Sequence, residues 1–180
     1  MVTQKKKTKY DELCQAYRTS RKNLLIYQDE CQVFARDIVN GMIEYFEWPT
    51  SQEITYIPLG EGIDPSNRFY AISAAMQMDD DSFWHFGLEL SVEEPGGSYP
   101  LPFLLSFFIK KIGNVFVVKL GPKGKEFKIP ENRRRDLEPL YDIVFKHITH
   151  FFNYKYQDAI TKGLNDPDFI MLSPTTNTTN

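Results

Sequence analysis

The sequence predicts an α+β protein: a single domain in which an antiparallel β-meander of five or six strands is packed on one face by long N-terminal and C-terminal helices. Three observations predict it. Apolar residues recur at helical spacing from Tyr10 to Phe46 and again from Leu137 to Ala159. Between them, residues 53–129 break into short runs rich in β-branched and aromatic side chains, and every break has the composition of a turn.

Residues 1–9, "MVTQKKKTK", form a basic, flexible lead-in. From residue 10 to 47 the stripe Leu13, Tyr17, Leu24, Tyr27, Cys31, Phe34, Ile38, Met42 and Tyr45 keeps to steps of three, four and, once, seven, which is one face of a helix. Trp48-Pro49 stops it, because a residue before proline avoids helical backbone. Leu25, Val39 and Ile43 widen the stripe sideways, so this helix is expected to be covered from more than one direction. The expected contacts with a partner are Leu25, Ile26, Val33, Val39 and Ile43.

The strand runs are "EITYIPL", "RFYAISAAMQM", "FWHFGLELSV", "PFLLSFFIKK", "NVFVVKL" and "EFKI". In the second and third, even-numbered residues alternate onto one face, Tyr70 to Met78 and Trp84 to Val92, and this face is the core. Pairing even with even sets Met76 opposite Trp84 and leaves Asp79-Asp80-Asp81 as a three-residue hairpin loop. His85 then falls on the other face, about 13 Å along the strand from Asp81, too far for a shared metal ion. That face carries Ser73, Ala75, Gln77, His85, Gly87 and Glu89, a half-solvated surface on which small residues permit close approach of a backbone, a ligand or a second subunit. The second helix runs from 136 to 162 with Pro139 in its first turn. His147 and His150 stand at its edge without a companion carboxylate and read as surface histidines. Residues 173–180 read as a disordered polar tail.

Composition bounds the function. With 42% hydrophobic and 25% charged residues the chain is ordinary for a globular protein, but 14 Phe, 10 Tyr and 2 Trp exceed what one small core needs. A net charge of −3 creates no global attraction to nucleic acid or anionic lipid. No stretch approaches the roughly 18 apolar residues of a membrane span, and without a leader the cytoplasm is the expected location. Phosphate-binding loops, nucleophile elbows and cysteine pairs at metal spacing are all missing, so no cofactor, no metal and no catalytic residue is expected. A hydrolase with a dispersed site is the least favoured reading. The expected function is a non-enzymatic protein-binding or adaptor and chaperone-like module whose partner is itself or another protein. One alternative is an apolar small-molecule carrier built around "PLPFLLSFF"; another is a phosphate or nucleic-acid binder using Lys123, Lys125, Arg133, Arg134 and Arg135.

Overall fold

The computed structural model describes residues 7–60, 67–69, 71–94, 96, 100–133, 137–155 and 169–171, with the backbone alone at 133, 154, 155 and 169–171. It is an α+β arrangement with an antiparallel sheet. The first helix, α1 (Lys9–Tyr45), has 37 residues and is about 55 Å long at 1.5 Å per residue. A capping box starts it: Thr8 Oγ1 accepts from the Asp11 N–H at 3.1 Å, while the Thr8 N–H donates to Asp11 Oδ2 at 2.8 Å. At the far end the Glu47 N–H donates to the Glu44 carbonyl and the Trp48 N–H to the Ile43 carbonyl. That pair of bonds is a Schellman motif, and it forces Glu47 into left-handed backbone at φ 50°.

The described strands are β1 (Thr55–Ile57), β2 (Gln77–Met78), β3 (Trp84–Val92), β4 (Leu101–Ile112), β5 (Val115–Leu120), β6 (Phe127–Pro130) and β7 (Phe169–Met171). Strands β3 to β6 form the expected antiparallel meander, and the sheet order is β1-β3-β4-β5-β6. Strand β2 also pairs β3, beside β1, while β7 adds three residues to β4 on the edge that β5 leaves open. The inner face carries Phe86, Leu88, Phe103, Phe107, Phe116 and Val118, all buried against α1 and against α3 (Glu138–His150). Phe34 of α1 stacks on Phe116 with ring centroids 4.0 Å apart.

Four expectations need correction. "RFYAISAAMQM" is not one strand: Phe69 makes an isolated bridge to Tyr56, a single helical turn α2 (Ile72–Ala75) follows, and only Gln77 and Met78 pair with β3. Ile72 and Ala75, three apart, both reach the core, so a helical turn buries what the alternating reading would have split between faces. The hairpin register is also displaced, with Met78 opposite Trp84. Its tip lies one residue later because Ser82 takes the left-handed position at φ 64° and Asp81 Oδ1 accepts from the Phe83 N–H at 2.9 Å. The even parity survives, so the core face is the expected one. The face opposite is not half-solvated: Ile57, Phe83, His85, Leu104 and Val117 are buried there. Finally, regular α-helix in α3 ends at His150 and passes into a π-helical turn, Phe151–Lys155; the remainder of the expected 136–162 helix and the 173–180 tail lie outside the described residues.

Helices α1 and α3 touch at Gly41, where a β-carbon would meet the Tyr141 hydroxyl at 2.2 Å. Two competing terms set the effect of Gly41→Ala. Helix propensity favours alanine by about 1 kcal/mol, but the buried, rigid Tyr141 ring must be displaced, which costs roughly 1–3 kcal/mol. Net destabilisation is expected in chemical denaturation, with partial recovery in Gly41→Ala/Tyr141→Phe. A stabilised single variant contradicts the contact. At the helix terminus Glu47→Gly relieves left-handed backbone and is expected to stabilise by about 0.5–1 kcal/mol, raising Tm by a few degrees in calorimetry. An unchanged or lower Tm contradicts the assigned cap.

Candidate functional site

The most exposed large apolar side chains of the described residues lie on the first half of α1. Its stripe runs through positions 10, 13, 17, 20, 24, 27, 31, 34 and 38 in strict alternation of three and four, and Ser20 is the one polar member. From Cys31 onward the stripe is buried: Cys31, Phe34 and Ile38 have no accessible surface. Before Tyr27 it is open, with Tyr10 74%, Leu13 69%, Tyr17 66% and Leu24 45% exposed. The same face of the same helix therefore belongs to the core at one end and to the surface at the other.

Two contacts mark where α1 leaves the sheet. The Tyr27 hydroxyl donates to the Ser82 carbonyl at the β2–β3 turn, at 2.8 Å, and its ring leans on Trp84. Beyond it Lys111 Nζ sits 3.0 Å from Glu30 and 3.1 Å from Glu131, tying the helix to β4 and to the segment after β6. Burial works against the Lys111 charge, but the two carboxylates outweigh it and hold the ammonium above its ordinary pKa. The remaining eighteen residues, Lys9 to Ile26, extend about 27 Å past these anchors. Cys14, Tyr17, Arg18, Arg21, Lys22 and Leu25 line a recess of about 480 Å³ along this segment.

The expected partner contacts are not brought onto one surface. Leu25 and Ile26 are exposed, Val33 and Ile43 are half-buried, and Val39 is enclosed in the chain's own core, where it offers nothing to a partner. The stripe residues Tyr10, Leu13, Tyr17 and Leu24 form the continuous surface instead. Their spacing was visible in the sequence; where the sheet stops covering them was not.

Other candidates fare differently. His85 is 2% exposed, stacks on Phe108 and places Nε2 2.9 Å from Asp79 Oδ2, a close approach without hydrogen-bond alignment at the first residue of the aspartate loop rather than at Asp81. Gly87 does admit a close neighbour, but the neighbour is the chain itself: a β-carbon there would meet Leu104 Cδ1 at 2.7 Å and the Ile57 carbonyl at 3.2 Å. Ser73 and Ala75 fall in α2 and share no face with them. Lys123 and Lys125 are exposed between β5 and β6; the side chain of Arg133 and all of Arg134 and Arg135 lie outside the described residues. Lys110 and Lys119 hold their ammonium groups 4.6 and 4.3 Å from the Phe83 ring on the outer face. A second recess of about 480 Å³ opens between α1 and α3, with Asp37, Glu44, Glu138 and Tyr45 on its walls. His147 is half-buried and His150 exposed, and no three His, Cys, Asp or Glu side chains converge on a metal position among the described residues.

No protein-family model, curated protein or solved structure matches the chain. None of the described helices is long and apolar enough to cross a membrane.

The two thiols differ in environment. Cys14 is half-exposed on the projecting segment, whereas burial pushes the Cys31 thiol from 9.0 up to about 11. An acidic group whose pKa is raised on folding stays protonated in the native state while the unfolded chain ionises. Its stability contribution is intact below pH 9 and is lost as pH rises from 9 toward 11, on the order of 2 kcal/mol over that window. Cys31→Val is expected to flatten the slope of stability against pH between 9 and 10, measured by urea denaturation. In parallel, a thiol reagent at neutral pH should titrate one cysteine in the native protein and two in denaturant. An equal slope, or two native thiols, contradicts the burial of Cys31.

Proposed function

We propose that the protein is a non-enzymatic protein-binding module that self-associates through the projecting half of α1. The observation that carries this reading is the passage of one apolar stripe from fully buried at Cys31 to 69% exposed at Leu13 without a change of face. Solvated loops and scattered surface leucines need no explanation, but a continuous apolar seam along some five helical turns is the pattern of a helix awaiting another helix. The capping box supports it, since the end of the segment is built to be helical rather than to fray. Among the described residues, no constellation of nucleophile, base and orienting group stands near the seam.

Burying a leucine is worth about 1.5–3 kcal/mol, and a symmetric pair loses two leucines per substitution, so removing one position costs roughly 3–6 kcal/mol of dimer stability. Placing a charge there adds to the loss. Leu13→Glu and Leu24→Glu are therefore each expected to weaken self-association at least 100-fold. Sedimentation equilibrium should show a concentration-dependent dimer for the native chain and a monomer for either variant, with far-UV circular dichroism preserved in the β-sheet contribution. A native chain that stays monomeric at high micromolar concentration rules out self-association, and variants that associate as well as the native chain rule out this surface.

A further inference from the structure

From the position of the sheet relative to the α1 seam, we propose that the occupant of the seam is the same segment of a second copy, running antiparallel, with Leu13 set against the partner's Leu24. This rests on the self-association reading and fixes its orientation and register.

Orientation follows from where each copy keeps its own sheet. From Cys31 onward the seam side of α1 is filled by the sheet, with Phe34 stacked on Phe116, while Tyr27 stands half-buried at the border beside Trp84. In a parallel pair the two seams face each other along their whole length. Both sheets then lie at the same end and on the same side, each in the space the other helix needs. In an antiparallel pair the helices overlap only along their projecting halves. The partner's helix takes the position the sheet vacates, and the partner's sheet begins at about the level where the described residues of the first helix end.

Register follows from the seam residues and from the first obstacle along it. Antiparallel layers alternate the two seam positions of one helix with the opposite positions of the other. Setting Leu13 against the partner's Leu24 also sets Tyr17 against the partner's Ser20 and Tyr10 against the partner's Tyr27. Both leucine layers are then filled, and the one polar seam residue meets the hydroxyl-bearing ring of a tyrosine. Sliding by one heptad toward the sheet would bring Leu13 against the partner's Cys31, which has no accessible surface. Sliding by one heptad the other way sets Leu24 past the described end of the partner's helix. Charge is compatible with the favoured register: antiparallel helices bring like flanking positions together, which sets Lys9 beside the partner's Glu30, the carboxylate that also holds Lys111. Arg18 and Lys22 stand more than about 100° around the helix from the seam and face solvent.

The register predicts a distance. Lys9 opposes the partner's Gln28, nineteen residues from the partner's Lys9, so the two Lys9 positions are separated by about 28 Å along the axis. A spin label on Lys9→Cys in a Cys14→Ser background leaves every seam residue intact and is expected to report about 30 Å by pulsed dipolar spectroscopy. A second variant, Leu13→Cys/Leu24→Cys with Cys14→Ser, is expected to form a covalent dimer on mild oxidation, while neither single cysteine does. A sedimenting dimer with labels closer than about 15 Å is parallel and overturns the orientation. A dimer with any other distance, or one cross-linked by a single cysteine, overturns the register; in both cases self-association stands. A monomer in sedimentation with no dipolar signal removes both.

Discussion

The structure depends on a mismatch of lengths: one helix carries an apolar stripe that outruns the sheet it covers. Over its second half, α1 seals the inner face, with Phe34 stacked on Phe116 and Cys31, Ile38 and Met42 fully enclosed. Over its first half the same spacing continues with nothing of the described chain against it. Tyr27 and Glu30 lie at the border, each anchored to a different part of the sheet end, to Ser82 and to Lys111. Those anchors prevent the helix from sliding or rotating to hide its exposed half, since a rotation that buried Leu13 would withdraw Phe34 and Ile38 from the core.

The sheet is closed on its other side by different means. Its outer face holds His85, Phe83, Phe108 and Leu104 packed among themselves, and Gly87 lets β1 and Leu104 come close enough to remove the gap. Lys110 and Lys119 lie over the Phe83 ring, and their stems shield apolar surface while the ammonium groups stay near solvent. A feature that suggested ligand access in the sequence, glycine beside histidine on an exposed strand face, is thus consumed by the chain's own packing. The exposed apolar surface is concentrated on α1.

Much of this was legible in the sequence. The spacing of α1 and the stop at Trp48-Pro49 gave its bounds to within two residues, and the alternation in β3 identified Trp84, Phe86, Leu88 and Leu90 as core. The segment from Arg68 to Met78 was misread because an apparent period of two in "AISAAMQM", carried largely by small residues, was set above alanine's preference for helix over strand. Strand β7, three residues long, pairs with β4 where β4 outlasts β5 on that edge and would otherwise leave hydrogen-bonding groups open, a feature of the sheet that the local sequence does not announce. The expected partner contacts, Leu25, Ile26, Val33, Val39 and Ile43, were chosen because a widened stripe suggests extra coverage. Which part of a stripe is left uncovered depends on where a sheet folded from residues 55–171 happens to end, and no local pattern records that.

The uncovered half also bears on how the helix persists. Segments of 12–15 residues or fewer are marginal as isolated helices in water, and helices in proteins draw most of their stability from packing. The eighteen residues from Lys9 to Ile26 include Thr19, Ser20 and Asn23, each of modest helix propensity, and the Lys9–Glu12 ion pair is solvent-exposed and worth little. The capping box at Thr8 contributes about 1 kcal/mol, and continuity with the anchored half removes the cost of nucleation, but neither supplies the burial that the second half enjoys. Tyr10, Leu13, Tyr17 and Leu24 are the side chains through which that burial would come. Helix stability in this segment is therefore linked to whatever contacts the seam: anything that bound the folded segment and not the unfolded one would tighten the helix.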